Sequence, residues 1–296
     1  MSEGRKIWHW IVLAILSLIW GTSYIFMKKG LESFTPSQIG SMRIIITFLC
    51  LLPIALRNLH KLNKNTIRSI LIIGFLGSGI PAYLFPVAQT RISSSLASML
   101  NSISPVFTLM VGVFFYKRQV IRSQIIGIFL GLVGAIGLLY SGSFSFNYYG
   151  LFVILATLLY GINANEVSIV QGINGLQITS LAFLVISPMA IGFLSFSDFS
   201  HVTSTDHWLR NLGCIILLAV LGSALAQALF YLLIRDTSPV FASMVTYFIP
   251  VVSTIWGVAD NEIFTPSMLV SVAVILTGVY IINRAGLRKY IMSINE

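Results

Sequence analysis

A segment that occurs twice constrains this chain more than any other feature. Residues 76–113 return as residues 221–258 at a constant offset of 145, without a gap, and the same residue recurs at thirteen paired positions. Leu76-Gly77-Ser78 becomes Leu221-Gly222-Ser223, Leu84-Phe85 becomes Leu229-Phe230, and Ser93 becomes Ser238. Ala97-Ser98-Met99, Pro105-Val106 and Gly112-Val113 return as Ala242-Ser243-Met244, Pro250-Val251 and Gly257-Val258. Chance identity runs at roughly one position in fifteen for ordinary compositions, and about twice that in apolar segments. The match marks an internal duplication.

What such a duplication builds depends on the solvent. The chain is 56% hydrophobic and 9% charged, with a mean hydropathy of +0.91, whereas soluble domains carry about a quarter charged residues. Too few charges are present to coat a soluble core, while lipid accepts apolar side chains on the outside. The composition is that of an integral membrane protein. A net charge of +9 is explained by basic cytoplasmic loops rather than by nucleic acid. Cys50 and Cys214 lie inside apolar runs, which argues against a structural disulfide.

A helix needs about twenty apolar residues to cross the hydrocarbon, and ten runs approach that length: 8–27, 36–56, 67–90, 93–116, 123–140, 148–170, 176–196, 211–234, 239–258 and 266–283. They are too continuously apolar for the alternating segments of a β-barrel. The fold class expected is therefore an all-α membrane protein of ten transmembrane helices. The first run follows Arg5 and Lys6 like a secretion signal, but it continues past Trp20 without a small-x-small cleavage site, so it is read as the first membrane helix. With the N-terminus inside, the cytoplasmic segments hold thirteen Lys and Arg residues, among them Arg57, Lys61, Lys117, Arg118, Arg122 and Arg235. The opposite side holds four, Lys28, Lys29, Arg91 and Arg210. This bias predicts a multi-pass protein of the cytoplasmic (inner) membrane with both termini cytoplasmic.

Ten helices with a duplication relating the third and fourth to the eighth and ninth make two units of five, residues 1–145 and 146–296. An odd number of crossings forces the copies to run in opposite senses, so the repeat is inverted. The loops agree: Lys117, Arg118 and Arg122 follow helix four, whereas Asp260 and Glu262 follow helix nine. Weaker echoes pair Trp20-Gly21 with Tyr160-Gly161, Gln38-Ile39 and Ser41 with Gln177-Ile178 and Ser180, and Gly134 with Gly278. Inverted repeats suit secondary transporters, because they give two states of similar energy and a substrate site near the midplane. The alternative is a scaffold or membrane enzyme built on the same duplicated bundle.

The five-plus-five pattern, Trp20-Gly21-Thr22-Ser23 with Lys28 ending helix one, Pro36 and Arg43 in helix two, and Asn261-Glu262-Ile263-Phe264-Thr265-Pro266 opening helix ten together resemble the EamA branch of the drug/metabolite transporter superfamily. The resemblance covers nearly the whole chain. It implies a cytoplasmic-membrane exporter of small metabolites, often amino acids or their analogues, with a central cavity lined by both halves. The acidic residue usual after helix four is replaced by Lys117-Arg118, a departure that weakens a gating role for that position.

Glu166, in helix six, is the carboxylate that falls within a membrane run, and an unpaired charge there costs about 2.5 to 3.5 kcal/mol on insertion scales. Either it relays protons, as a coupling ion, or contacts a substrate amine; or it sits in a buried pair or reaches headgroup water. Arg43 is its natural partner, unless it snorkels to the interface. Polar and aromatic residues at helical spacing extend the candidate substrate site to Trp20, Tyr24, Tyr83, Asn101, Tyr160, Asn163, Gln227 and Tyr247. Rings supply apolar area and amides orient a carboxylate or amine, a set suited to a small amphiphilic metabolite. Pro81, Pro86, Pro105 and Pro250 each remove a helical hydrogen bond and are candidate hinges. Gly127, Gly131 and Gly134 form a small-residue ridge for close packing, within the bundle or between protomers.

No phosphate loop of the Gly-x-x-x-x-Gly-Lys form, no His-Glu-x-x-His pair and no clustered Cys and His occur in the sequence, which disfavours ATP-driven pumping and metal chemistry. Gly77-Ser78-Gly79, with its copy Gly222-Ser223-Ala224, reads as close packing rather than a serine nucleophile. No catalytic residue, cofactor or metal is expected. The expected partners are a small-molecule substrate and the lipid bilayer, without nucleic acid, for a monomer or weak homodimer.

Overall fold

The computed structural model describes residues 3–140 and 146–292, with side chains over 7–140, 146–282 and 284. The expected junction of the repeats at 145/146 abuts segment 141–145, and that segment, like the side chains of Arg5, Lys6, Arg288 and Lys289, lies outside what is described. Ten helical spans are present among the described residues. They are α1 (Glu3–Leu31), α2 (Pro36–Arg57), α3 (Ile67–Gln89), α4 (Ser94–Tyr116), α5 (Arg122–Leu139), α6 (Gly150–Ile169), α7 (Gly175–Ser195), α8 (Trp208–Asp236), α9 (Pro239–Ala259) and α10 (Pro266–Met292). Nine have the length and hydropathy to cross a membrane, and the tenth has a shorter apolar stretch, Pro266–Ile282.

Helix starts follow local chemistry, and the chemistry repeats. Thr35 caps α2 in a capping box with Gln38, and Pro36 occupies the first turn, where its missing N–H costs nothing. Asn174 and Gln177 form the same box at α7. The two glutamines then tie α2 to α7: Gln38 Nε2 donates to the Asp198 carbonyl and Gln177 Nε2 to Asn58 Oδ1, both at 2.8 Å. Ser93 and Ser238 owe their pairing to the same cause, because each hydroxyl accepts the first-turn N–H of its helix, from Leu96 and Phe241 respectively, at 3.1 Å.

Packing follows an in-plane pseudo-twofold. Helix α2 packs on α7 and α5 on α10, each against its own counterpart, while α4 on α6 mirrors α9 on α1, and α3 on α7 mirrors α8 on α2. The chain is thus an all-α membrane protein of two inverted five-helix repeats. The glycine ridge of α5 packs inside this bundle. A Cβ on Gly278 would lie 2.5 Å from the Gly127 carbonyl and 2.8 Å from the Gly131 nitrogen, and one on Gly134 2.7 Å from the Ser271 carbonyl. Backbones of α5 and α10 approach this closely because no side chain separates them.

Two kinds of irregularity interrupt helices in both halves. Helix α3 widens to π geometry at Phe75–Gly79 and α8 at Leu218–Leu225. Helix α4 breaks between Ser94–Asn101 and Ser104–Tyr116, and α9 between a 3-10 turn at Ser243–Tyr247 and Ile249–Ala259. Pro105 and Pro250 stand second in the segments that resume after these breaks. Pro81 follows the π turn of α3, whereas the equivalent turn of α8 forms with Ala226 in that place; the proline is not what widens the helix. Pro86 lies inside the continuing helix Ile80–Gln89.

Candidate functional site

The π turns and helix breaks surround a central cavity with about 100 Å³ open to the centres of water molecules, room for several waters or part of a small solute. Its walls come in pairs from the two halves. Gly77 and Ser78 correspond to Gly222 and Ser223, Phe85 to Phe230, Asn101 to Thr246, and Ser104 to Ile249, and all of them line the cavity. The weaker echoes pair in the same way: Trp20 with Tyr160, Ser23 with Asn163, Tyr24 with Ala164, and Ile44 with Phe183. The duplication supplies a cavity whose two sides are copies of one surface.

Seven of the ten expected substrate-site residues line this cavity: Trp20, Tyr24, Arg43, Asn101, Tyr160, Asn163 and Gln227. Their orientations are fixed from behind. Trp20 Nε1 donates to the Gly222 carbonyl at 2.8 Å, a group that the π turn leaves available. Gln227 Nε2 donates to Ser78 Oγ at 2.6 Å and to Tyr231 Oη at 2.5 Å, and Tyr231 donates in turn to Asn163 Oδ1 at 3.0 Å. This chain of polar groups joins α3, α6 and α8. The Phe85 ring stacks on Tyr160 at 5.8 Å and takes the edge of Tyr24 at the same distance. Arg43 is the charged side chain of the lining; its Nε donates to Ser223 Oγ at 2.6 Å. It is held at the cavity and does not snorkel to an interface.

Three expected members stand elsewhere. Tyr83 bonds Ser41 at 3.0 Å and packs edge-on against Phe193, in the α2–α3–α7 contact. Tyr247 closes the 3-10 turn of α9 and packs on the main apolar core. Glu166 is buried near the end of α6, where it accepts hydrogen bonds from Ser69 Oγ and Tyr116 Oη, both at 2.5 Å. It does not pair with Arg43 and does not touch the cavity. Tyr83 and Tyr247 stand at the depth of the cavity, beside Ala82 and Thr246 of its lining, but on another face of their helices, whereas Glu166 lies too far along α6. Conversely, Ser78, Ser223, Phe85 and Phe230 line the cavity although packing was expected of the serines. The signal that would have found them is the repeat itself, since all four belong to its strictest matches.

The two ends of the bundle carry matched elements of unlike charge. At one end Lys28 Nζ pairs with Asp260 at 2.6 Å and Glu262 at 2.8 Å, Lys29 with Asp260 at 2.8 Å, and Arg210 with Glu32 at 3.2 Å. Glu262 also accepts the backbone N–H groups of Ser94 and Ser95, at 2.9 and 3.0 Å, capping α4 from the other repeat. Burial alone would raise the Glu262 carboxyl, but hydrogen bonds from Lys28, Ser95 and Ser94 outweigh it and bring the pKa down to about 2. Asp260 is likewise held low by Lys28 and Lys29 against its partial burial.

At the other end Arg118 takes the matching place. Lys117 and Asn261 both adopt left-handed backbone, at φ 53° and 56°, and turn the next residue back over Gly112 and Gly257, whose carbonyls accept the N–H groups of Arg118 and Glu262. Arg118 reaches Ser168 Oγ at 3.1 Å, where Glu262 reaches Lys28. Thus the departure noted at Lys117-Arg118 replaces an ion pair by a single hydrogen bond.

Inverted five-helix units around a two-sided cavity define a membrane transporter of the inverted-repeat class. A family model described as the EamA-like transporter family matches residues 8–140 and again 147–284; the chain belongs to that family. It is 24% identical to an "Uncharacterized transporter" of Archaeoglobus fulgidus over 93% of this chain and 98% of the relative. It is 27% identical to the inner membrane transporter YedA of Escherichia coli strain K12, over 83% and 80% of the two chains. The S-adenosylmethionine/S-adenosylhomocysteine transporter of Chlamydia muridarum is 22% identical over 94% of this chain and 92% of its own. A crystal structure shares the fold with a TM-score of 0.66 at 13% identity, covering 94% of this chain and 97% of that one.

Proposed function

We propose that the protein is a secondary transporter that exports a small amphiphilic metabolite, such as an amino acid or analogue, across the cytoplasmic membrane by alternating access. The observation that carries this is the cavity walled pairwise by both repeats, because a site on the pseudo-twofold is reached equally from either side when the halves rock. Residues 1–145 and 146–296 then act as the two moving units, with Pro105 and Pro250 beside the breaks that bend. Rings and amides in the lining favour an amphiphilic cargo, and a relative named for carrying S-adenosylmethionine and S-adenosylhomocysteine supports a metabolite. A direction out of the cell and cytoplasmic termini rest on the Lys and Arg bias and on the family resemblance.

Purified protein in liposomes is expected to carry members of an amino-acid and metabolite panel with saturable flux. Absence of flux for every solute would favour a scaffold or enzyme on the same bundle. Protons are proposed as the coupling ion through Glu166, which acts from the bundle end and not as a ligand of the cargo. Glu166→Gln is therefore expected to abolish the pH dependence of flux while changing KM less than twofold. An unchanged pH profile removes Glu166 from coupling.

A further inference from the structure

The geometry points to Arg43 as the standing counter-charge for a carboxylate on the cargo, and to a carrier that consequently reorients loaded, exchanging one anion-bearing solute for another. This deepens the transporter proposal and rests on it. Arg43 is the one charged side chain among the described cavity walls, and no carboxylate neutralises it there. The nearest candidate by sequence, Glu166, is engaged with Ser69 and Tyr116. Ser223, from the opposite repeat, takes the Arg43 Nε. The planar Nη fork has no hydrogen-bond partner among the described residues, and that fork matches the two oxygens of a carboxylate.

The pseudo-symmetry shows that the fold itself does not require a charge here. The register that pairs Gln38 with Gln177 and Ile44 with Phe183 sets Arg43 opposite Ala182, which is fully buried in the core. The cavity is therefore a two-sided neutral surface with a cation added to one side. Asn101, Asn163 and Gln227 supply neutral donors and acceptors for the remainder of the cargo, and no acidic group is present in the lining to receive an ammonium.

Physical cost then decides the mode of transport. Closing both ends around an unpaired guanidinium leaves a charge in a medium that solvates it poorly, whereas a bound carboxylate offsets that cost in place. The loaded cavity passes through the occluded state more readily than the empty one. A carrier that returns slowly when empty runs as an exchanger.

The test uses the full-length protein in liposomes with matched probes: phenylalanine and 3-phenylpropionate, which bear the carboxylate, against phenylalanine amide and 2-phenylethylamine, which do not. Uptake of a radiolabelled carboxylate probe is expected to rise at least about tenfold when the lumen holds the same solute unlabelled, and the amide and amine are expected to neither enter nor exchange. Arg43→Gln should lower carboxylate flux by about tenfold or more and abolish the stimulation from inside. Arg43→Lys and Ser223→Ala, which keep the charge, should retain that stimulation and serve as the test if the glutamine variant does not fold. Equal flux of the amine or amide, or uptake as fast into empty vesicles as into loaded ones, overturns the proposal and leaves the transporter standing. No flux for any probe or metabolite removes both.

Discussion

Glu262→Gln is expected to loosen the end of the bundle where α1, α4 and α9 meet and to destabilise the protein by about 2 kcal/mol. That figure lies between the small worth of an exposed ion pair and the 3–5 kcal/mol lost when a buried pair is broken, since Lys28 and Asp260 are partly exposed while the Glu262 side chain is 2% exposed. The substitution leaves a group that still accepts a hydrogen bond but removes the charge shared by Lys28 and the α4 amide ends. The Lys28 end is held by a cluster of lysine–carboxylate ion pairs, whereas Glu166 and Arg118 make hydrogen bonds to hydroxyls at the other, so removing the Glu262 charge is expected to favour opening at the Lys28 end.

The measurement is the rate at which a thiol reagent reaches Ser23→Cys, a cavity position, in a background with Cys50 and Cys214 changed to serine. Labelling from the Lys28 end should quicken about tenfold, which is 1.4 kcal/mol; an unchanged rate would show that the ion pairs do not hold that end shut. Acid should mimic the substitution. The Glu262 pKa is depressed in the folded protein, so its contribution is complete above the ordinary carboxylate value near 4.5 and is lost as pH falls from there toward 2. Labelling relative to a freely exposed cysteine, which corrects for the falling thiolate fraction, should accordingly be flat between pH 7 and pH 5. Making Lys28→Gln alongside gives a double-mutant cycle that separates the pair itself from the penalty of an abandoned charge.

Gly278→Val is expected to cost about 3 kcal/mol or more, the upper end for overpacking, and to lower the thermal midpoint of the detergent-solubilised protein by several degrees. The atoms that a side chain would meet are backbone, the Gly127 carbonyl and the Gly131 nitrogen, and neither can swing aside. Relief requires α5 and α10 to part along their length. By contrast, valine at Gly192, inside α7 where an added Cβ meets nothing within 4 Å, should leave the midpoint unchanged or raise it slightly, because glycine is the poorer helix former. Equal midpoints for the two variants would refute close α5–α10 contact.

How much of this was legible beforehand varies with the physics involved. Helix count, inversion and the family could be read because the low dielectric of the bilayer leaves few alternatives to long apolar helices, and because the repeat preserved its caps, Ser93 with Ser238 and Gln38 with Gln177. Seven cavity residues were found for a related reason: polar side chains in membrane helices tend to face inward. Depth along a helix was not legible. Glu166 lies only one turn beyond Asn163, yet Asn163 lines the cavity and Glu166 bonds Tyr116 at the bundle end. The π turns escaped notice as well, since widening depends on tertiary support and the proline of α3 has no counterpart in α8. Arg43 lines the cavity as expected of a substrate-site residue, but its partner was not legible: sequence offered Glu166 or the interface, because spacing carries no account of the hydroxyl from Ser223.

The cap that Glu262 places on α4 has a consequence for how the molecule is made. When α4 leaves the translation machinery its first amides await a carboxylate that is encoded more than 160 residues later. The opening half of the polypeptide must wait in the bilayer, unfinished at one tip, until the second half has been inserted upside down beside it. Synthesis of the N-terminal unit by itself should therefore give a product that is readily degraded, and supplying the C-terminal unit as a separate chain should rescue it.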